Sequence, residues 1–245
     1  MIIGVPTEIK NHEYRVGMVP SSVRELTIKG HEVFVQSDAG VGIGFTDQDY
    51  IDAGASILTT AAEVFAKAEM IVKVKEPLAV ERAMLRKDQI LFTYLHLAPD
   101  LAQTNDLIAS GAVCIAYETV TDDRGGLPLL APMSEVAGRM SIQAGARALE
   151  KSLGGRGMLL GGVPGVEPAK VVIIGGGMVG TNAAQMAVGM GADVVVLDRS
   201  IDALRRLNVQ FGSAVKAIYS TADAIERHVL EADLVIGGVL VPGAA

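Results

Sequence analysis

The sequence has little of what several kinds of site are made from. Cys114 is the only cysteine among 245 residues, which excludes an internal disulfide and a zinc site built on cysteines. Trp is absent and Phe and Tyr number five each, so a stacking surface for single-stranded nucleic acid is disfavoured. The histidines stand without metal-motif spacing, at positions 12, 31, 96 and 228. We therefore expect a site without a metal ion.

Basic charge and long apolar runs are also missing. Lys and Arg number 21 against 28 Asp and Glu, a formal net charge of −7, whereas a nucleic-acid-binding surface needs a basic face. No apolar run reaches the roughly 18 residues of a membrane span, and the N-terminus has no basic leader or cleavage pattern. Half of the residues are apolar, too many for a disordered chain. We expect a folded cytoplasmic protein that binds neither nucleic acid nor membranes.

What the chain does have is an alternation of short β-branched segments with helical patterns. This alternation predicts βαβ units and mainly parallel sheets. Acidic, Gly and Pro residues cluster at 121–128, as in an interdomain crossing, and Ser134 can then cap a long helix over 135–151. The predicted strands include 70–75, 89–97 and 234–239. We predict two α/β domains, residues 1–130 and 131–245, with a boundary near residue 130.

A glycine motif follows the predicted strand 170–174. The sequence GGGMVG at 175–180 fits G-x-G-x-x-G. Gly175 permits the tight turn, Gly177 lets a pyrophosphate approach the backbone, and Gly180 allows the helix to pack closely on the sheet. The N–H groups at the helix start favour the phosphate charge. Both domains are therefore predicted to be Rossmann-like doubly wound parallel sheets, of which the second is incomplete at its C-terminal side.

Asp198 ends the next predicted strand, 18 residues beyond Gly180, close to the expected spacing of about 20. Its carboxylate can accept from both ribose hydroxyls and would repel a 2′-phosphate, which favours NAD over NADP. Arg199 stands against this preference, because a basic residue after the acid can tolerate the phosphate. The competing interpretation is a βαβ unit whose glycines serve packing alone.

Several segments resemble the family of alanine dehydrogenases and nicotinamide nucleotide transhydrogenases. An N-terminal signature shared by both groups is matched by GVPTE at 4–8, Asn11, Glu13, Arg15, Val16, Pro20, Val23 and Leu26. The segments KVKEP at 73–77, FTYLHLA at 92–98 and the glycine-rich stretch 154–180 resemble alanine dehydrogenases in particular. The resemblance covers essentially the whole chain.

The resemblance implies NAD-dependent oxidative deamination of L-alanine to pyruvate and ammonia, and the reverse reaction. Arg15 and Lys75 would hold the substrate carboxylate and oxo group, Tyr94 would line the substrate site, and His96 would be the catalytic acid/base, with Lys75 stabilising charge on the developing oxygen. The cofactor contacts implied, besides Gly175, Gly177 and Gly180, are Ser134, Met178, Val179, Asp198, Arg199, Ser220, Val239 and Leu240. The family is typically a homohexamer.

The residues themselves leave competing roles open for the two cations. The planar guanidinium of Arg15 suits a carboxylate, but it could equally form a surface ion pair with Glu8 or Glu13. Lys75 ends a predicted apolar strand, where a partly desolvated ammonium could polarise a carbonyl. Lys73 would point to the same strand face, and Glu76 could pair with Lys75 in a purely structural role.

His96 has two interpretations as well. It closes a predicted strand, where open α/β sheets place ligands, and imidazole titrates near neutrality. A lone histidine is nevertheless often structural. The family resemblance is what favours catalysis.

The resemblance also implies a longer chain. Family members continue well beyond Ala245 and supply a further catalytic aspartate and an asparagine near the nicotinamide. We therefore expect the adenosine and pyrophosphate part of the site to form and the nicotinamide to be poorly held, which leaves the activity of these 245 residues open. The alternatives are the NAD(H)-binding domain of a transhydrogenase and a non-catalytic NAD-binding fragment.

Overall fold

The structure of this protein is a computed structural model that describes residues 1–240. The described residues form two units, 1–129 and 130–240. Each unit is built on a parallel sheet, as predicted. The last five residues of the predicted second domain lie outside the described residues. That the first unit carries catalysis and the second binds NAD stays a prediction.

The first unit has a six-stranded sheet in the order β3-β2-β1-β4-β5-β6. This is the doubly wound order of dinucleotide folds, in which ligands bind where the strand order reverses. Here the reversal lies between β1 and β4. Its strands are β1 Ile2–Val5, β2 Glu32–Gln36, β3 Ser56–Leu58, β4 Met70–Val72, β5 Ile90–Thr93 and β6 Val113–Ala116. Its helices are α1 Pro20–Ile28, α2 Asp47–Asp52, α3 Ala61–Lys67, α4 Ala79–Arg82 and α5 Leu101–Ser110.

Apolar side chains cover both faces of this sheet. One core contains Val5 and Val72 together with Val23 of α1. The other contains Ile71 and Leu91 together with Phe65 of α3. Ile71 and Val72 fall into different cores because successive side chains of a strand point to opposite faces. The sheet is therefore buried on both sides, which leaves its carboxyl edge for a site.

The second unit has four strands in the order β10-β7-β8-β9. The first strand in sequence is central, so the order reverses between β7 and β10. The strands are β7 Lys170–Ile174, β8 Asp193–Asp198, β9 Val215–Tyr219 and β10 Leu234–Gly237. The helices are α6 Ala131–Ala148, α7 Met178–Gly189, α8 Ile201–Phe211 and α9 Ala222–Glu231. None of the helices within residues 1–240 is long and apolar enough to cross a membrane.

Several predicted boundaries were wrong. The strand predicted over 70–75 ends at Val72, because the carboxylate of Glu8 accepts the backbone N–H of Val74 (2.6 Å). The strand predicted over 89–97 ends at Thr93, ahead of His96, whose φ of +47° no strand can contain. The strand predicted over 234–239 ends at Gly237.

Ser134 does not cap α6. The helix begins at Ala131 with Pro132 in its first turn, and the N–H of Ser134 already donates to the carbonyl of Leu130 (3.0 Å). Proline is favoured there because its φ is preset for the helix and its missing N–H would have no intrahelical partner. The prediction overlooked this proline signal in favour of the serine.

Candidate active site and nucleotide site

The candidate catalytic residues follow three neighbouring strands of the first sheet. Arg15 lies on the segment that leaves β1, Lys75 on the segment that leaves β4, and His96 on the segment that leaves β5. β1, β4 and β5 are adjacent in the sheet, and all three are parallel. The predicted residues therefore lie at the carboxyl edge beside the point where the strand order reverses, which is where open α/β sheets bind ligands.

Arg15 is held by Glu13. Its Nε donates to Oε1 of Glu13 (2.8 Å) and its Nη2 to Oε2 (2.5 Å), a two-pronged ion pair. The hydrogen bond to Glu13 raises the pKa of Arg15 and lowers the pKa of Glu13. Of the two acids considered from sequence, Glu13 is thus the partner. The side chain of Arg15 remains 46% exposed, so this pair orients the guanidinium without burying it.

Lys75 shares an acid with a second lysine. Its Nζ lies 3.2 Å from Oε2 of Glu76, and Lys10 pairs with Oε1 of the same carboxylate. Burial lowers the pKa of Lys75, and the charges of Lys10 and Arg15 lower it further. Three cations therefore act on one small region, which suits an anionic ligand such as a carboxylate.

Lys73 does not accompany Lys75. Its side chain is fully buried, and its Nζ lies 3.1 Å from Oε2 of Glu8 and 2.7 Å from Oε1 of Glu81. The expectation that Lys73 and Lys75 share a strand face was wrong, because the strand has already ended. Since the other oxygen of Glu8 accepts the N–H of Val74, this buried ion triad fixes the backbone next to Lys75.

His96 lies against Tyr94. The two rings are stacked, with centroids 5.9 Å apart and planes inclined by 15°. The hydroxyl of Tyr94 donates to the carbonyl of Leu129 (2.6 Å). Burial lowers the pKa of His96, the charges of Lys75 and Lys10 add to this, and Glu118 opposes it. The net lowering of its pKa favours the neutral imidazole, the state that accepts a proton.

Sequence reasoning missed the charged residues that support these three. Lys10, Glu81 and Glu118 were given no role in the site, Glu8 was considered only as a surface partner of Arg15, and Lys73 only as a rival of Lys75. The available signal was their position just beyond apolar strands or, for Glu81, in the short helix that follows. Nothing in a single sequence says which acid reaches which base.

The glycine loop of the second unit has the geometry its spacing predicts. Gly175 has a φ of +104°, which L side chains rarely adopt. A Cβ on Gly180 would lie 1.7 Å from the carbonyl oxygen of Gly175, so only glycine permits this approach. A Cβ on Gly177 would meet no atom within 4 Å, although α7 begins at the next residue. The protein thus leaves open space in front of a helix N-terminus, where a diphosphate can be bound.

Asp198 is anchored beside this loop. Its Oδ2 accepts the N–H of Gly176 (2.6 Å), and its Oδ1 accepts the N–H of Ser200 (2.7 Å). Each carboxylate oxygen has a second lone pair, so both can still accept from a ribose hydroxyl. The loop and the acid together fit a dinucleotide.

The remaining predicted cofactor residues lie at helix starts and strand ends of this unit. Met178 and Val179 form the first turn of α7, and Ser134 lies in the first turn of α6. The N–H of Ser220 donates to the carbonyl of Asp198 (3.0 Å). Arg199, Val239 and Leu240 are exposed, the last two beyond the end of β10. Among residues 1–240, no cluster of His, Cys, Asp and Glu could hold a metal ion.

Comparison with known proteins identifies relatives along the whole chain. Residues 4–137 match the family described as "Alanine dehydrogenase/PNT, N-terminal domain", and residues 141–245 match its C-terminal domain. An alanine dehydrogenase of Halomonas elongata is 59% identical over 245 residues, and one of Mycolicibacterium smegmatis is 56% identical over 244. Each alignment covers all of this chain and 66% of the relative. The chain thus spans about two thirds of the length of these relatives.

Solved structures agree with this. An L-alanine dehydrogenase is 57% identical and superposes with a TM-score of 0.92, covering 99% of this chain and 67% of the other. A transhydrogenase from Sinorhizobium meliloti is 26% identical, with a TM-score of 0.81 and coverage of 99% and 71%.

Proposed function

Because this chain belongs to the alanine dehydrogenase/PNT family, we propose that it carries out NAD-dependent, reversible oxidative deamination of L-alanine to pyruvate and ammonia. The observation that supports this most directly is that Arg15, Lys75 and His96 follow three neighbouring parallel strands at one carboxyl edge of the sheet, where the charge of Lys75 favours the neutral form of His96. A neutral base next to a cationic subsite is what deamination of a small amino acid requires. The proposed cofactor is NAD, and the proposed protein is a cytoplasmic homo-oligomer, a hexamer by resemblance to the family.

Arg15 and Lys75 bind the substrate in this proposal. The guanidinium that Glu13 orients takes the carboxylate, and the ammonium of Lys75 takes the oxo group. The same ammonium stabilises the negative charge that develops on that oxygen. Tyr94 contributes to the wall of the substrate site through the ring that stacks on His96.

His96 moves the protons. NAD, when bound, would supply the acceptor for the hydride of the substrate α-carbon, and loss of that hydride from the amine form of the substrate leaves a protonated imine. Water then adds to the resulting imine, and His96 takes a proton from that water. In the carbinolamine so formed, His96 returns the proton to the nitrogen, the C–N bond breaks to release ammonia, and the hydroxyl proton passes back to His96 as the C=O of pyruvate forms. One group of suitable pKa thus serves both steps.

The second unit binds the cofactor. The backbone around Gly175, Gly177 and Gly180 would hold the pyrophosphate, together with the first turn of α7. Asp198 would hold the ribose and exclude a 2′-phosphate, with Arg199 next to it. Further proposed contacts are Met178, Val179, Ser134, Ser220, Val239 and Leu240.

Replacing His96 tests the proposal. We expect His96→Gln to lower the rate of NADH formation from L-alanine and NAD by about 10²- to 10⁴-fold, the usual contribution of general acid–base catalysis. NADH binding by calorimetry should be unchanged. The assay is run on this chain and on a version extended to the relatives' length. His228→Gln, in α9, is the matched control, and turnover by the His96 variant at the parental rate would refute the assignment.

The likeness to a transhydrogenase favours a second candidate, the NAD(H)-binding part of such a protein. That activity moves hydride between two nicotinamides and needs no amino-acid subsite. Calorimetry with NADH followed by pyruvate separates the two. Binding of pyruvate to the NADH complex favours the dehydrogenase, whereas NADH binding without any effect of pyruvate favours the transhydrogenase or a non-catalytic NAD-binding module.

A further inference from the structure

We propose that Glu118 is a positioning residue for His96: its carboxylate holds the backbone of residues 95 and 96 in the conformation that places the imidazole against Tyr94, and its charge acts on that imidazole. This proposal rests on the proposed function of His96 as the acid/base. It adds a residue that touches neither substrate nor cofactor.

The backbone at His96 is strained. Its φ is +47°, in the left-handed region that few residues other than glycine adopt. Such a conformation costs free energy and persists only where the surrounding structure imposes it. Something close to His96 must therefore hold this conformation.

Glu118 makes the contacts that do so. Its Oε1 accepts the N–H of His96 (2.7 Å) and the N–H of Leu95 (3.0 Å). Its Oε2 lies 3.3 Å from the same N–H of Leu95. Hydrogen bonds from backbone N–H groups to an ionised carboxylate are stronger than those between neutral groups. One side chain thus binds the two successive amides that lead into the strained residue.

Gln103 holds the same peptide from the opposite side. Its side chain is fully buried, and its Nε2 donates to the carbonyl of Leu95 (2.5 Å). The peptide group that joins Leu95 to His96 therefore has both its N–H and its C=O fixed by side chains. Gln103 carries no charge, so it supports the geometry without acting on the titration of His96.

Glu118 is itself firmly placed. It lies in the short turn Tyr117–Thr119 that follows β6. The ring of Tyr117 meets the rings of Phe92 and Tyr94 edge-on, at centroid distances of 4.3 and 5.0 Å. The turn that carries the carboxylate is thus packed against the strand end that leads to His96.

The charges that act on His96 come from three segments. Lys75 and Lys10 disfavour the imidazolium, and Glu118 favours it. Glutamine at position 118 would keep an oxygen for the two amides but would remove the charge. Alanine there would remove both. The two variants therefore separate the mechanical effect from the electrostatic effect.

The first experiment measures His96 directly, without turnover. With histidine side chains isotopically labelled, the chain shows four imidazoles by NMR, and His96→Gln assigns the relevant one. We expect Glu118→Gln to lower the pKa of His96 below its value in the parent chain. Glu25→Gln, on the exposed face of α1, removes the same charge elsewhere and should leave it unchanged. An unchanged His96 titration in Glu118→Gln would overturn the electrostatic part.

The second experiment measures the mechanical part. We expect Glu118→Ala to abolish the protection of the Leu95 and His96 amides from hydrogen exchange and to lower turnover about 10²-fold with KM for pyruvate little changed. Glu118→Gln should retain that protection. If the alanine variant does not fold, the proposal is decided by the glutamine variant, through the titration of His96 and the exchange protection of the two amides.

The outcomes distinguish this proposal from the one it rests on. Full turnover in His96→Gln would refute the acid/base assignment itself. Loss of turnover in His96→Gln, combined with parental exchange and parental titration in both Glu118 variants, would refute the role of Glu118 only.

Discussion

The two candidate sites lie at equivalent positions of the two units but are built from different chemical groups. In each unit, the candidate site lies at the carboxyl edge of a parallel sheet, where the strand order reverses. The second unit uses backbone: a loop whose glycines leave space in front of a helix. The first unit uses charged side chains, and these come from segments that follow three different strands.

This difference follows from the ligand groups. A diphosphate can be bound by N–H groups, which every residue supplies once side chains are out of the way. A substrate carboxylate and its oxo group need cations, and cations held close together disfavour one another. In the first unit, buried and half-buried acids offset the repulsion between these cations. Glu13 pairs with Arg15, Glu76 with Lys10 and Lys75, and Glu8 with Lys73. We conclude that the cationic side chains of the first unit need acidic partners around them, whereas the backbone N–H groups of the second unit need only close packing.

The largest effect should come from breaking the buried layer. Lys73→Met leaves two carboxylates, Glu8 and Glu81, buried without their cation. We expect the free energy of unfolding to fall by about 3–5 kcal/mol, the usual cost of removing one partner of a buried ion pair. Chemical denaturation at neutral pH measures it.

The matched control is in the second unit. Lys216 pairs with Asp193 at the surface, with side chains 58% and 33% exposed. Lys216→Met should cost at most about 1 kcal/mol, as exposed pairs do. Equal losses in both variants would show that the buried triad has no special importance.

An intermediate effect should come from filling the space left by the glycine loop. Gly177→Ala adds a methyl group that meets no protein atom, so the protein should fold with unchanged stability. The methyl group would stand where a phosphate approaches. We expect NADH to bind at least about tenfold more weakly, or about 1.4 kcal/mol, by calorimetry.

Gly189→Ala is the control, because it adds a methyl group to the exposed end of the same helix, again without contact. Parental affinity in Gly177→Ala would mean that the glycines serve packing alone.

The smallest effect should be the change in the pKa of His96 when Lys75 is replaced. Lys75 is a cation whose charge lowers the pKa of His96. Removing it in Lys75→Gln should raise the pKa of His96, opposite to the effect of Glu118→Gln, and the NMR titration measures it. Since the neutral imidazole is the proton acceptor, the acid limb of L-alanine oxidation should move to higher pH in any variant that still turns over. Lys29→Gln, at the end of α1, should leave the pKa of His96 unchanged. A lower pKa of His96 in the Lys75 variant would contradict the charge argument.

Sequence reasoning predicted local geometry best where the candidate site is nearly continuous in the chain. The GGGMVG loop and Asp198 are connected by a fixed chain length, and the strand, turn and helix around them each have a local pattern. Both parallel sheets were predicted for the same reason. The three residues proposed for the first site came from the family resemblance, since Arg15, Lys75 and His96 are far apart in sequence.

The partners of those residues were beyond prediction. Whether Lys73 or Lys75 is buried depends on where β4 stops, and that is decided by Glu8, about 65 residues earlier in the chain. The strain at His96 depends on Glu118, 22 residues later. Such contacts are set by the packing of the whole unit, which no local pattern encodes.

The ion triad of Glu8, Lys73 and Glu81 also restricts how this protein can evolve. Substituting Lys73 alone leaves two carboxylates in the interior without a cation. Substituting Glu8 or Glu81 alone leaves one lysine paired with one acid, so the charges still balance. Change at these positions therefore has an order, in which an acid is replaced before the lysine.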